Sequence, residues 1–298
     1  RNTMKKHLLL FILLFTLFLS ACSNNTTAPV QPKENENSTV ETDKGQINEQ
    51  TNQVTEEENN QASNQGKDQE VNQQTQTDQN VYVVNPKTFK IQAKKPTEQK
   101  IVLLTFDDGP VGDNTIEILN VLDKYNAKAI WFINGFNYGY NYQPSPKKAE
   151  KFKNNLLEIQ KRGHLIGNHT WEHNNLRNLT PEQTRNEIVK LNDLIVSITG
   201  EKPQYFRAPF GIYSEETYKV LKEEKMQPMN WSVGSLDWEL KNPEDVVKQT
   251  VSTIHDGANI LMHDKEVTAK ALDQILIKLE QENYKFVLPN QVDLNGLE

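Results

Sequence analysis

From Ile101 onward, short apolar runs alternate with longer stretches whose apolar residues recur at helical spacing, and that alternation leaves few folds open. Ile101-Val102-Leu103-Leu104-Thr105-Phe106 is followed by 114–125, with Ile118, Leu119, Leu122 and Tyr125 on one helical face. Ala129-Ile130-Trp131-Phe132-Ile133 is followed by a helical stretch over 147–162. The same reading places strands near 164–168, 204–207, 228–233, 259–262 and 285–288, and helices near 181–199, 214–224, 243–255 and 266–282. Thr180-Pro181-Glu182-Gln183 is a strong helix start, with Thr at the N-cap, Pro at the first helical position and Gln at the third. Apolar runs of this kind suit strands covered on both faces. Seven of them, each separated by a helix, predict an α/β fold with a parallel sheet and right-handed crossovers. Counting alone leaves a closed barrel and an open doubly wound sheet both standing.

The N-terminal third obeys different rules. After Met4-Lys5-Lys6, residues 8–19 are almost unbroken apolar. Twelve helical residues rise about 18 Å, short of a ~30 Å hydrocarbon core, so the segment reads as a secretory signal rather than a span. It ends in Leu19-Ser20-Ala21-Cys22, which resembles a bacterial lipobox. In such signals the Cys is acylated, so the expectation is a protein secreted and lipid-anchored through Cys22 to the outer face of the bacterial membrane. Cys22 is the chain's single cysteine, which excludes an internal disulfide framework and a Cys-rich zinc site.

Residues 23–80 carry 3 Lys against 11 Asp and Glu, no Phe, Trp or Tyr, and 22 Asn or Gln. Such a stretch buries too little apolar surface to offset chain entropy, so a disordered tether is expected, running to about 97. The expected organisation is therefore a signal over 1–22, a linker over 23–97 and a catalytic domain over 98–298. Without the acidic stretch, residues 81–298 hold 27 basic and 29 acidic side chains. A nearly neutral domain has no excess of cations to displace counterions, which argues against a nucleic-acid partner.

Chemistry gathers where the expected strands end. Asp107-Asp108-Gly109-Pro110 follows the first, and Asn168-His169-Thr170-Trp171-Glu172-His173 follows the third. Histidines at i and i+4 would share one face of a helical turn and suit a common metal. Arg207-Ala208-Pro209-Phe210, Asp237-Trp238 and Leu261-Met262-His263-Asp264 close three more. In parallel α/β folds, ligands and catalytic groups collect at these carboxyl ends.

Taken in order, Thr105-Phe106-Asp107-Asp108-Gly109-Pro110, His169-Thr170-x-x-His173, Arg207-x-Pro209-Phe210, Asp237-Trp238 and Leu261-x-His263 resemble the five motifs of the polysaccharide deacetylases, the NodB-homology or carbohydrate esterase 4 family. The resemblance covers about 98–290 and implies a distorted (β/α) barrel of about seven strands. It implies metal-dependent removal of acetyl groups from N-acetylated sugars of cell-wall glycan, peptidoglycan or chitin-like oligomers. Asp108, His169 and His173 would hold a divalent metal, Zn²⁺ foremost and Co²⁺ or Ni²⁺ as alternatives. Asp107 would be the general base, held ionised by Arg207, and His263 the general acid, oriented by Asp237. Pro209, Phe210, Trp238 and Leu261 would contact substrate, with the Phe210 main-chain N–H aimed at the oxyanion. Two positions depart from the family pattern: Gly234 stands where an acidic residue is usual and Phe210 where Tyr is usual, and Gly234 suggests a more open groove. Alternative functions are an esterase or amidase of the same fold, or a silent glycan-binding lipoprotein.

Overall fold

A computed structural model of the chain describes residues 81–294. The apolar leader, Cys22 and the acidic stretch to residue 80 lie outside the described residues. In chain order the strands are β1 (Tyr82–Val84), β2 (Ile91–Ala93), β3 (Lys100–Gly109), β4 (Ala129–Ile133), β5 (Leu165–Asn168), β6 (Tyr205–Phe206), β7 (Gln227–Pro228), β8 (Val233–Gly234), β9 (Ala258–His263), β10 (Tyr284–Phe286) and β11 (Val292–Asp293). The α-helices are α1 (Asp113–Lys124), α2 (Pro146–Lys161), α3 (Pro181–Thr199), α4 (Glu215–Glu223), α5 (Pro243–Thr253) and α6 (Glu266–Gln281).

The main sheet runs β7-β6-β5-β4-β3-β9-β8 and is parallel throughout, with β10 alongside the first residues of β3. It curls. The Asn259 side-chain amide of β9 donates to the Asn230 carbonyl just beyond β7, at 3.0 Å. Five strand steps separate β7 from β9, about 24 Å in a flat sheet. The expected distorted barrel is therefore present, with an open seam: among the described residues no ladder joins β7 to β8.

That seam corrects the strand expected near 228–233. It is two strands of two residues, β7 pairing with β6 and β8 with β9, because the chain crosses the seam between them. Residues 229–232 serve instead as acceptors and contacts: the Met229 and Asn230 carbonyls accept from the Arg207 guanidinium.

Period-two alternation sorts β3 into two cores. Val102, Leu104 and Phe106 face outward and pack with α1, α2 and α6. Ile101 and Leu103 face inward, joined by Ile130, Phe132, Tyr205 and Met229. The same alternation carries Thr105 and Asp107 to the inner face.

The inner core has a floor that the sequence reading assigned to the tether. β1, antiparallel to β2 and parallel to β11, forms a three-stranded sheet whose Tyr82, Val84, Ile91 and Val292 close the interior. Ile91 N–H donates to the Gly257 carbonyl, and a Cβ on Gly257 (φ +75°) would fall 2.3 Å from the Ile91 oxygen, so only glycine fits there. The linker expected to reach 97 thus gives way to folded chain by Tyr82. Two three-residue strands are too short to carry a periodicity signal, which is why composition alone missed them.

Ile91 is 2% exposed. Ile91→Ala should cost about 3 kcal/mol and lower Tm by roughly 5–10 °C in thermal unfolding. An unchanged Tm would show that 81–97 is no part of the cooperative unit.

Candidate active site

Neighbouring residues of a strand point to opposite faces, so Asp107 and Asp108 should not share a site. A bulge makes them share it. The β3–β4 register shifts between Asp107 and Gly109, and Asp108 sits at φ +67°. The Asn137 side-chain amide donates to the carbonyls of Asp108 (2.8 Å) and Gly109 (3.1 Å), fixing the turn from the β4 side. Both carboxylates then line one cavity of about 330 Å³ with His169, His173 and His263.

The two histidines reach it by a route other than the helical turn expected. Residues 169–175 are irregular: Thr170 (φ +72°) and His173 (φ +56°) are left-handed. Asn168 Oδ1 accepts from Thr170 N–H at 2.8 Å, and Thr170 Oγ1 accepts from His173 N–H at 3.1 Å. These local bonds compete with helix and turn the chain back on itself. Glu187 of α3 holds the loop from outside, its carbonyl accepting from Trp171 N–H and its carboxylate from Glu172 N–H.

Asp108 Oδ1 lies 3.6 Å from His169 Nε2 and 3.5 Å from His173 Nε2. Ligands on one tetrahedral ion about 2.1 Å away stand about 3.4 Å apart, which both Asp108–His distances match, and all three donor atoms lie within 4.8 Å of one another. Two further observations support the fit. Asp108 Oδ1 is buried without a hydrogen-bond partner. His169 Nδ1 donates to the Arg207 carbonyl at 2.7 Å, which leaves the Nε2 lone pair free for an ion. Burial holds the His169 pKa down to about 3, so the ring is neutral.

Asp107 Oδ1 accepts from Arg207 Nη1 at 2.7 Å, and both side chains are buried. Arg207 was expected to hold the Asp107 pKa low. Burial outweighs it, and the carboxyl lies above its ordinary range despite the guanidinium and the nearby histidines. Thr105 Oγ1 accepts a further bond from Arg207 Nη1, at 2.8 Å.

Across the cavity, His263 Nδ1 and Asp237 Oδ1 are 2.6 Å apart. Asp237 Oδ2 accepts from His263 N–H and from Thr268 Oγ1, both at 2.6 Å. Burial raises the Asp237 pKa less than these bonds lower it, and the carboxylate is held below its usual range. Burial opposes charge on His263, but Asp237, Asp107 and Asp108 outweigh it and hold the imidazole above its ordinary value.

Phe210, Trp238 and Leu261 line the cavity as expected, together with Trp231. Pro209 does not: it is buried, and Ala208 lines the cavity. Phe210 has φ +60°, is 62% exposed and sets its ring edge-on to His173 at 4.9 Å. The opening expected over Gly234 is filled by the Trp238 ring, whose edge is 3.2 Å from where a Cβ would lie. Sequence reasoning missed Thr268, Asn137, Glu187 and Trp231, and gave Thr105 no role beyond its place in the first motif. Thr105 alone left a signal, a polar residue on the inner face of an apolar run.

The curled parallel sheet and this paired acid–base and metal-donor set define a hydrolase of the α/β class. The chain belongs to the polysaccharide deacetylase family, whose sequence model matches residues 94–229. The peptidoglycan-N-acetylglucosamine deacetylase of Bacillus cereus is 32% identical over 64% of this chain and 68% of its own length. The peptidoglycan-N-acetylmuramic acid deacetylase PdaC of Bacillus subtilis is 31% identical over 65% of this chain but only 39% of its own. A solved PdaC structure superposes with a TM-score of 0.58, at 31% identity, over 67% of this chain and 92% of that one. BA3943 of Bacillus anthracis, a family pseudoenzyme, superposes with a TM-score of 0.56 at 27% identity, over 63% of each chain. The fold therefore carries inactive sites as well as active ones, and activity turns on the side chains.

Protonated His263 prevails below its raised pKa and is lost as pH rises through it. Asp237→Asn removes the strongest support for that proton, so the alkaline limb of kcat/KM should move to lower pH. A pH–rate profile with an unmoved limb would reject His263 as the acid.

Proposed function

We propose that this protein is a metal-dependent deacetylase that removes the N-acetyl group from amino sugars of peptidoglycan and releases acetate. One observation carries the reading. A base paired to Arg207, a metal-donor triad and an acid paired to Asp237 surround a single cavity. A one-carboxylate, two-imidazole set suits Zn²⁺ best, with Co²⁺ and Ni²⁺ as alternatives. Asp108, His169 and His173 would hold the ion, which would supply the positive charge that polarises the amide carbonyl and acidifies water. Asp107 Oδ2, the carboxylate oxygen not bonded to Arg207, takes the proton from the attacking water. His263 Nε2, opposite the Nδ1 bonded to Asp237, gives a proton to the departing amine. The Phe210 main-chain N–H donates to the developing oxyanion, and Trp238 and Leu261 enclose the acetyl methyl. The two named relatives act on different sugars of peptidoglycan, which supports the polymer as substrate and leaves the preferred residue to experiment.

Acetate release from peptidoglycan should cease in excess chelator and return with Zn²⁺ or Co²⁺. Asp107→Asn should lose about 10²–10⁴-fold in kcat while still binding metal by calorimetry. Near wild-type kcat in that variant, or full activity in chelator, would reject the mechanism. Glycan binding without acetate release would favour a silent module.

The reading extends to location. Acylation of Cys22 would hold the enzyme at the outer face of the membrane, within reach of the wall. Cys22→Ser protein should leave the membrane fraction for the medium, and its retention on membranes would reject the anchor.

A further inference from the structure

Across the Asp108–Pro110 turn from the catalytic cavity lies a second cleft, of about 230 Å³. Its walls include Pro110, Val111 and Gly112 beyond β3, Asn137 beyond β4, and Lys148 and Lys151 of α2. These segments follow the carboxyl ends of β3 and β4, so the cleft opens on the catalytic face. Asn137 joins the two sites, since its amide also holds the Asp108 and Gly109 carbonyls. Val111 is three residues from Asp108, so their Cα atoms are at most about 11 Å apart, within the span of a disaccharide.

Both cations are positioned. Lys148 Nζ stands 4.7 Å over the Tyr140 ring, which stacks on Phe136 with centroids 5.8 Å apart. Among the described residues no carboxylate pairs with Lys148. Lys151 lies against Gly112, where a Cβ would fall 2.6 Å from Nζ, and shares only the exposed Asp113 at 3.1 Å. The exposed rim of the cleft therefore carries two ammonium groups and one carboxylate, with the buried Asp264 carboxylate behind Val111, in a domain that is otherwise slightly acidic.

We propose that this cleft is a subsite for a carboxylate on the sugar beside the one being deacetylated, so that the enzyme selects acidic glycan strands over neutral ones. The inference rests on the deacetylase reading above. An ammonium group is a point charge on a flexible stem and accepts a carboxylate at varied angles. That suits a lactyl ether or the first carboxylate of an attached peptide alike.

The test uses three soluble N-acetylated muramyl tetramers: peptide-free with free lactyl carboxylates, the same oligomer as its methyl ester, and a peptide-bearing form. Wild type should prefer free acid to ester in kcat/KM by roughly threefold to tenfold, the worth of two exposed ion pairs, and the preference should shrink in 1 M salt. Lys148→Gln with Lys151→Gln should bring that ratio near one while leaving the ester rate unchanged. A preference confined to the peptide-bearing form would support the subsite and assign the carboxylate to the peptide. No charge preference in wild type, or equal loss on acid and ester in the variant, would overturn the subsite. No acetate from any of the three would overturn the deacetylase reading instead.

Discussion

A carboxylate and a guanidinium sealed inside a curled sheet, Asp107 and Arg207, set the conditions for everything around them. Removing two charges from water costs several kcal/mol per ion, and their attraction offsets this only when every remaining donor is also satisfied. Arg207 comes near that condition, with four of its five N–H donors bonded. It donates to Thr105 and Asp107 on β3 and to the carbonyls of Met229 and Asn230 beyond β7, while its face lies 4.2 Å over Phe132. These bonds also tie together parts of the sheet that a flat arrangement would hold far apart. Lysine, with one charged point and no planar fork, could not reach all four acceptors.

The bulge at Asp108 sets a second carboxylate beside this buried pair. A regular strand would leave Asp107 inside and send Asp108 outward among the helices. The left-handed residue at 108 brings the second carboxylate back to the first, and the turn beyond it is held by Asp264. That buried carboxylate accepts from Val111 N–H at 2.9 Å and Thr115 Oγ1 at 2.6 Å, and leaves no room for a Cβ on Gly109. Burial pushes the Asp264 pKa up to about 6. Strain of this kind persists where surrounding bonds over-determine it, and here they come from β4, α1 and the end of β9.

Much of this was legible in sequence for a physical reason. Strands covered on both faces must be apolar, so a charged or polar residue at their ends stands out, and the five motifs stood out in that way. The helical reading of His169 and His173 failed because spacing says nothing about left-handed residues, which Asn168 and Thr170 create through their own side-chain bonds. The single strand at 228–233 failed because apolarity cannot show that a chain changes partners halfway. The floor of the barrel failed because Tyr82–Val84 and Ile91–Ala93 gain their order from β11, some 200 residues away. Trp238 over Gly234 is a packing outcome, invisible until the ring is placed.

The charges of the site also say why its parts belong together. In the proposed mechanism Asp107 works as a carboxylate and His263 as an imidazolium, while His169 is neutral, held so by burial and its bond to the Arg207 carbonyl. A divalent ion held by Asp108, His169 and His173 would add positive charge where the oxyanion develops. Its field would oppose the burial that raises Asp107 and favour the ionised form, while the bonded Asp237 supports the proton on His263. The proposed base and acid would have to be in opposite protonation states over one range of pH, and each of these groups bears on that. Losing any one ligand or partner shifts the protonation of the others, which is how a fold of this kind can keep its shape and lose its chemistry.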